Sequence, residues 1–166
     1  MAAAHRTKPR ETQVTYPCPV RRVTVRWDGS DWKIVKQIRV PSMTLPAPDP
    51  LPAGEQSRGF WIETSDGKGG IYHREVMPDP LLGMEQFQEG GEITRMAHPP
   101  HDLTIELLVP EVPGVSEVHI VRNLPPPGKP GARSELRRTV LKLSGAPVED
   151  VPRQDEGGHG AHRHPR

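Results

Sequence analysis

Four side chains in this sequence could together bind a metal ion: His73, Asp79, His98 and His101. Imidazole nitrogens and carboxylate oxygens are ligands that zinc accepts, and a catalytic zinc site keeps an open position for water. Two prolines separate His98 from His101 and disfavour the helix that would align the two rings. A metal-binding protein or a metal-dependent enzyme is therefore the alternative prediction, and exposed loop histidines are the simpler interpretation.

The sequence contains no other motif of catalysis. A Gly-x-Ser-x-Gly nucleophile elbow and a phosphate-binding glycine loop are both absent. The glycine-rich residues 67–70 lie between two alternating segments, which is typical of a hairpin turn. His159, His162 and His164 lie in a polar C-terminal tract, which binds divalent ions only weakly. We therefore predict no cofactor and a function other than catalysis.

Positive charge is concentrated near the N-terminus. Residues 1–40 hold nine Lys/Arg and three Asp/Glu, whereas residues 41–127 hold five and thirteen. Alternation places Arg22 and Arg26 on the outer face of the first strand, and Lys36 follows on the next. Either acidic strands of the same domain neutralise these cations, or the cations form a face that binds a protein partner. Nucleic acid is not expected, because Trp27 follows the inward alternation and leaves no ring for bases to stack on.

Alternating apolar residues predict seven strands. In the clearest hairpin, Phe60 and Ile62 alternate with Trp61 and Glu63 before the glycine-rich turn. In residues 32–40, we expect Trp32, Ile34, Ile38 and Val40 to share one face, although Lys36 interrupts it. The seven predicted segments are residues 20–27, 32–40, 60–64, 71–77, 92–96, 102–109 and 115–121.

Seven short strands within about 100 residues predict an all-β, immunoglobulin-like sandwich, with a small barrel as the main competitor. The proline-rich residues 41–54 favour a covering connection between two sheets rather than a meander. The core tryptophan is expected to be Trp27 or Trp61. In the late strand, alternation places Leu103, Ile105, Leu107 and Val109 inward.

The domain is expected to span residues 20–123, where the alternating patterns occur. Residues 1–19 are predicted to form a flexible basic arm, and residues 124–133 a Pro/Gly linker. Residues 134–143 form either a short helix or an added strand, since both patterns fit. Residues 144–166 are predicted to be a disordered, histidine-containing tail.

Several of these residues resemble a known group of proteins. Residues 60–63, Tyr72, the Asp79-Pro80-Leu81 triplet, and Val109-Pro110 with Pro113-Gly114 are similar to features of uncharacterised bacterial immunoglobulin-like β-sandwich proteins. The resemblance covers residues 20–123 and implies a fold without naming an activity.

The expected location is the cytoplasm. The N-terminal residues carry charge and contain no apolar run typical of a secretion signal, and no segment is apolar enough to predict a membrane helix. The single cysteine, Cys18, excludes an intramolecular disulfide. The sequence leaves the oligomeric state open. Our main prediction is thus a non-enzymatic binding or adaptor module that engages another protein through a sheet edge or loops.

Overall fold

The structure is a computed structural model, which describes residues 10–50, 58–82, 85–87, 93–95, 102–124, 133–145 and 147–150. Its strands within these residues are β1 (Arg10–Glu11), β2 (Cys18–Trp27), β3 (Trp32–Met43), β4 (Gly59–Ser65), β5 (Gly70–Met77), β6 (Glu85–Phe87), β7 (Ile93–Arg95), β8 (Leu103–Pro110), β9 (Glu117–Leu124), β10 (Glu135–Lys142) and β11 (Val148–Asp150). Short 3-10 helices lie at Pro80–Leu82 and Leu143–Gly145. Each of the seven predicted strands is found.

Two sheets pack face to face. One has five strands in the order β1-β5-β4-β9-β10, and the other has four in the order β11-β3-β2-β8. Strands β6 and β7 form a separate antiparallel pair. The prediction of an all-β sandwich is confirmed, whereas its assignment to the immunoglobulin-like class remains a prediction.

The core lies between the two sheets because alternate side chains of each long strand point inward. From the four-stranded sheet come Val23 and Val25 of β2 with Leu107 and Val109 of β8. They meet the inner residues of the five-stranded sheet, which are Phe60, Ile62, Val118, Ile120 and Leu141. The predicted facing of β8 is confirmed, since Leu103 and Ile105 also pack against this cluster.

The tryptophan that is buried in the core cluster is Trp32, and not Trp27 or Trp61 as expected. Trp32 is 4% exposed, and its ring centroid lies 5.5 Å from that of Trp27 and 6.4 Å from that of Phe60. Trp27 is only half-buried at the margin of this cluster. Trp61 is buried, but alternation along β4 turns it away from Phe60 and Ile62.

A β-bulge in β3 corrects the predicted facing of that strand. Thr24 pairs with Lys36 but Val25 pairs with Ile34, so Val35 is the additional residue and is 52% exposed. The bulge reverses the alternation, because one extra residue moves every later side chain to the other face. Ile38 and Val40 therefore do not share a face with Trp32.

Gln37 takes the inward position after the bulge. It is completely buried, and its side-chain amide donates a hydrogen bond to the Leu143 carbonyl oxygen at 2.9 Å. The bulge thus places a polar group of β3 where it can bind the backbone that follows β10.

The turn between β4 and β5 has the expected glycine chemistry. Gly67 and Gly69 have φ values of 71° and 98°, which side chains with a Cβ rarely adopt. The Asp66 carboxylate accepts hydrogen bonds from the Lys68 and Gly70 amides at 2.7 and 2.9 Å, and these bonds lower its pKa. The Asp66 side chain therefore closes the turn, as in an Asx turn.

The proline-rich connection begins later than predicted, because residues 41–43 belong to β3, and its residues 44–50 lie against the sandwich. Leu45 is buried with Cys18 and Val20 in a second apolar cluster. Asp49 then lies along β5: its amide donates to the Arg74 carbonyl oxygen at 2.9 Å, and its carboxylate accepts from the Val76 amide at 2.7 Å.

The sheets include strands outside residues 20–123. In the part of the chain that the structure describes, β1 pairs with β5, and β11 pairs with β3. Residues 135–142 form the added strand rather than the helix that the sequence also allowed, and Leu141 and Leu143 join the core. The expected limits 20–123 therefore leave out residues that pair with both sheets and residues that join the core.

Candidate binding edge and its buried ion network

The predicted basic residues project from the outer face of the four-stranded sheet, and each lies beside a carboxylate. Arg22 is 3.8 Å from Glu106, Lys36 is 3.2 Å from Glu149, and Arg26 donates two hydrogen bonds of 2.8 Å to Asp102. The structure therefore has the internally neutralised arrangement rather than a cluster of unpaired cations.

The Arg26–Asp102 pair changes the acidity of both groups. The hydrogen bonds from Arg26 lower the pKa of Asp102, and those same bonds raise the pKa of Arg26. Both side chains are more than half exposed. Water and salt screen such a pair strongly, so its main effect is on local charge rather than on the fold.

Two of the four predicted metal ligands are described, and Asp79 is engaged in the fold. Its carboxylate accepts hydrogen bonds from the Leu81 amide at 2.9 Å and from Nε of Arg122 at 2.6 Å. Asp79 therefore caps the turn after β5 and neutralises a buried arginine. Binding a metal would require this pair to break.

His73 is the other described member, and it is 7% exposed. Burial lowers its pKa, which favours the neutral ring, although the charge of Asp49 opposes the shift. Its Nδ1 atom has no hydrogen-bond partner among the described residues. These residues contain no group of three His, Cys, Asp or Glu arranged to hold a metal. His98 and His101 lie outside them, so the four-residue site remains a prediction.

The outer face of the five-stranded sheet carries charged residues that the sequence interpretation did not single out. At its centre, Glu63 of β4 is 4% exposed and accepts hydrogen bonds from Nε of Arg74 at 3.0 Å and from the Trp61 indole at 3.1 Å. Arg74 of β5 is 1% exposed, and it also lies 3.3 Å from Glu11. These contacts form a buried ion pair.

The same network continues across β9 to the edge strand. Arg138 of β10 lies 3.7 Å from Glu63 and donates a hydrogen bond of 3.2 Å to Nδ1 of His119. Because arginine can only donate, this ring nitrogen accepts, and Nε2–H donates to Glu117 at 3.0 Å. We call Glu63, Arg74, Glu117, His119 and Arg138 the buried ion network, since all except the half-exposed Arg138 and the partly buried Glu117 lie inside the protein.

The network connects four neighbouring strands, from β5 to β10. A buried charge pair stabilises little relative to apolar packing, but removing one partner leaves the other charge desolvated and costs about 3–5 kcal/mol. Glu63 therefore requires its cationic partners. Because Arg138 is one of these partners, its contact with Glu63 helps to hold β10 in place in the sheet.

Sequence alternation contained a partial signal for this network. It places Glu63 on the face opposite to Ile62, and opposed residues of an antiparallel pair share a face. The pairing of Glu63 with Arg74 and His119 is decided by strand register, which joins residues that are far apart in sequence. Arg138 was missed because residues 134–143 fitted a helix as well as a strand.

Strand β10 is an open edge of the five-stranded sheet that the described residues form. It pairs over its whole length with β9, and no other described strand pairs with it. Leu136, Arg138 and Val140 alternate on the outer face, where the two apolar side chains are 51% and 47% exposed. A row of unpaired backbone groups beside exposed apolar side chains can pair with an extended peptide.

The other long edge differs in its surface. Strand β8 pairs only with β2 among the described strands, and its outer side chains Thr104 and Glu106 are polar. Strands β1 and β11, at the remaining edges, have two and three residues. Among the described strands, β10 lies at a sheet edge over its whole length and carries two exposed large apolar side chains.

Two open depressions lie beside β1 and β5. The larger, of about 470 Å³, is lined by Arg10, Lys68 and the Asp66 carboxylate that the hairpin turn already uses. The smaller, of about 220 Å³, lies beside Ile71 and His73. The larger depression is lined mainly by polar residues and glycines rather than by the apolar walls that are typical of a small-molecule site.

None of the described helices is long and apolar enough to cross a membrane. In the comparisons with known proteins, no family model, no curated protein and no solved structure matches the chain. The geometry of the described residues is therefore the basis for a proposed function.

Proposed function

We propose that this protein is a non-enzymatic binding module that engages another protein by adding an extended segment of that partner to strand β10. The observation that supports the proposal is the open edge of β10, with Leu136 and Val140 exposed on one face. In this mode of recognition, backbone hydrogen bonds supply affinity and alternate side chains supply specificity.

The buried ion network supports the proposal in a second way. Arg138 is held by Glu63 and His119, so the middle of β10 is attached to residues of the sheet interior. An edge that is already ordered loses less conformational entropy when a peptide binds. The network therefore presents β10 as a preformed strand.

The first experiment selects ligands from a displayed library of protein fragments with the full-length protein. Selection is repeated with the double variant Leu136→Lys, Val140→Lys, which removes both exposed apolar contacts. The matched control is Val35→Lys, at the exposed bulge residue of the other sheet. We expect fragments that bind the wild-type protein and the control but not the double variant.

Hydrogen exchange identifies where a selected fragment binds. We expect the fragment to slow exchange of amides in residues 135–142, because the added strand accepts hydrogen bonds from outward amides of β10. Fragments that bind all three proteins equally, and protect another segment, would contradict the proposal.

The alternative function is metal binding through His73, Asp79, His98 and His101. The favouring observation is the buried, neutral imidazole of His73 with an unpaired Nδ1 among the described residues. The test is zinc titration of a variant with His159, His162 and His164 changed to alanine, so that the tail does not obscure the result. One equivalent of tightly bound zinc, lost on His73→Gln, would favour the alternative.

A further inference from the structure

Strand β10 is basic as well as apolar. Arg137, Arg138 and Lys142 are exposed, whereas Glu135 is its only acidic residue. Glu135 lies 3.2 Å from Arg137, but the Arg137 side chain remains 65% exposed. Arg138 lies on the outer face between Leu136 and Val140, and Arg137 lies on the opposite face, so a strand added beside β10 would meet one cation on each face.

We propose that the segment bound at β10 is an acidic, extended stretch of a partner protein, an inference that rests on the proposed function. Residues directly opposite in a sheet share a face and lie close together, so each position of β10 selects its own neighbour. In the commoner antiparallel orientation, the partner segment then has the five-residue pattern apolar–any–acidic–acidic–apolar. The acidic residues lie opposite Arg138 and Arg137, and the apolar ones opposite Val140 and Leu136.

A second copy of this chain fits the edge less well. In a symmetric antiparallel pair, the register that places Leu136 opposite Val140 also places the two copies of Arg138 opposite each other. Like charges directly opposite in a sheet are destabilising, and cations on an edge strand are a common protection against self-association. Charge complementarity therefore selects an acidic partner over a second copy.

The experiment measures binding of labelled peptides to the full-length protein by fluorescence anisotropy. The acidic peptide is Ser-Thr-Val-Thr-Glu-Glu-Val-Thr-Ser, and its matched control replaces both glutamates with lysine. We expect the acidic peptide to bind at least about tenfold more tightly, and its affinity to fall as salt rises from about 20 to 200 mM, because salt screens exposed charges.

Charge-reversal variants test where selection occurs. Arg137→Glu should abolish the preference between the two peptides, because the new carboxylate then opposes the effect of Arg138 with either peptide. Lys36→Glu is the control, since it reverses an exposed cation on the other sheet. It should leave both affinities within about twofold, because Lys36 lies on the outer face of the other sheet, where it is paired with Glu149.

If both peptides bind with equal affinity, and Leu136→Lys abolishes that binding, the acidic specificity would be overturned and β10 would remain the binding edge. Binding of neither peptide would also overturn this inference. Concentration-dependent protection of residues 135–142 in the protein alone would then assign the edge to a second copy. Peptide binding that no β10 substitution changes would instead contradict the proposed function itself.

Discussion

The outer faces of both sheets carry arginine–glutamate ion pairs, but the pair is exposed to solvent on one sheet and buried on the other. On the four-stranded sheet, Arg22 and Glu106 are 44% and 59% exposed and 3.8 Å apart. On the five-stranded sheet, Arg74 and Glu63 are 1% and 5% exposed and joined by a hydrogen bond of 3.0 Å. The comparison teaches that burial, and not the number of ion pairs, decides which charges the fold depends on.

The two faces also differ in what lies beside their charges. The four-stranded sheet has its exposed cations next to carboxylates of neighbouring strands. On the five-stranded sheet, Arg138 also lies beside a carboxylate, Glu63, but it is flanked by two exposed apolar side chains, Leu136 and Val140. The first arrangement favours solubility, and the second favours contact with another chain.

Removing β10 should produce the largest effect. A chain that ends after Leu124 lacks Leu141 and Leu143 of the core and Arg138 of the buried ion network. We expect no cooperative urea transition, because buried leucines contribute about 2–5 kcal/mol each and total stability is commonly about 5–15. A chain that ends after Asp150 is the control and should unfold like the whole protein. An unchanged midpoint for the shorter chain would show that residues before 125 suffice.

Breaking the buried pair should have the next largest effect. Arg74→Met leaves Glu63 buried without its closest cation, so the free energy of unfolding should fall by about 3–5 kcal/mol. Arg22→Met on the other sheet is the matched control and should change it by about 0–1 kcal/mol. Equal losses in urea unfolding would refute the contrast between the two faces.

Acidification should weaken the fold through His73. Because burial lowers its pKa in the folded state, the unfolded chain binds the proton more readily. Its stabilising contribution is complete above the unfolded pKa of about 6.5 and is lost as the pH falls from there towards the folded value. The slope of unfolding free energy against pH should be smaller in His73→Phe than in the wild-type protein. Identical slopes would contradict this role.

The smallest effect is expected at Asp102. Arg26→Gln removes the hydrogen bonds that lower its pKa, so the pKa should rise towards its ordinary value. Carboxyl carbon shifts in an NMR titration measure this change. Thermal stability should hardly change, because both side chains are well exposed. A large loss of stability would show that this pair supports the fold as the buried pair does.

Several structural features follow from local sequence. Alternating apolar residues identify the strands of the sandwich, because period-two patterning places one face of each strand in the core. Asp66 and the glycines after it identify the hairpin turn, since the conformation there requires positive φ. The proline-rich stretch after β3 identifies a covering connection, and its Leu45 is buried.

Other features required the tertiary structure. The bulge at Val35 depends on how β2 and β3 align. As a result of the bulge, Gln37 rather than Ile38 lies on the core face. Whether residues 134–143 form a helix or a strand is decided by pairing with β9. The sequence could not show either result, because each depends on a neighbour that is distant along the chain.

The sequence by itself determined the class of fold and the position of the charged residues along each strand. Only the tertiary structure decided which charges are buried and which remain in solvent. Glu63 and Glu106 occupy similar alternating positions. The tertiary structure buries Glu63 beside Arg74 and within 3.7 Å of Arg138, but it leaves Glu106 exposed beside Arg22. The physical reason is that desolvation depends on what packs over a residue in three dimensions, which no local pattern specifies.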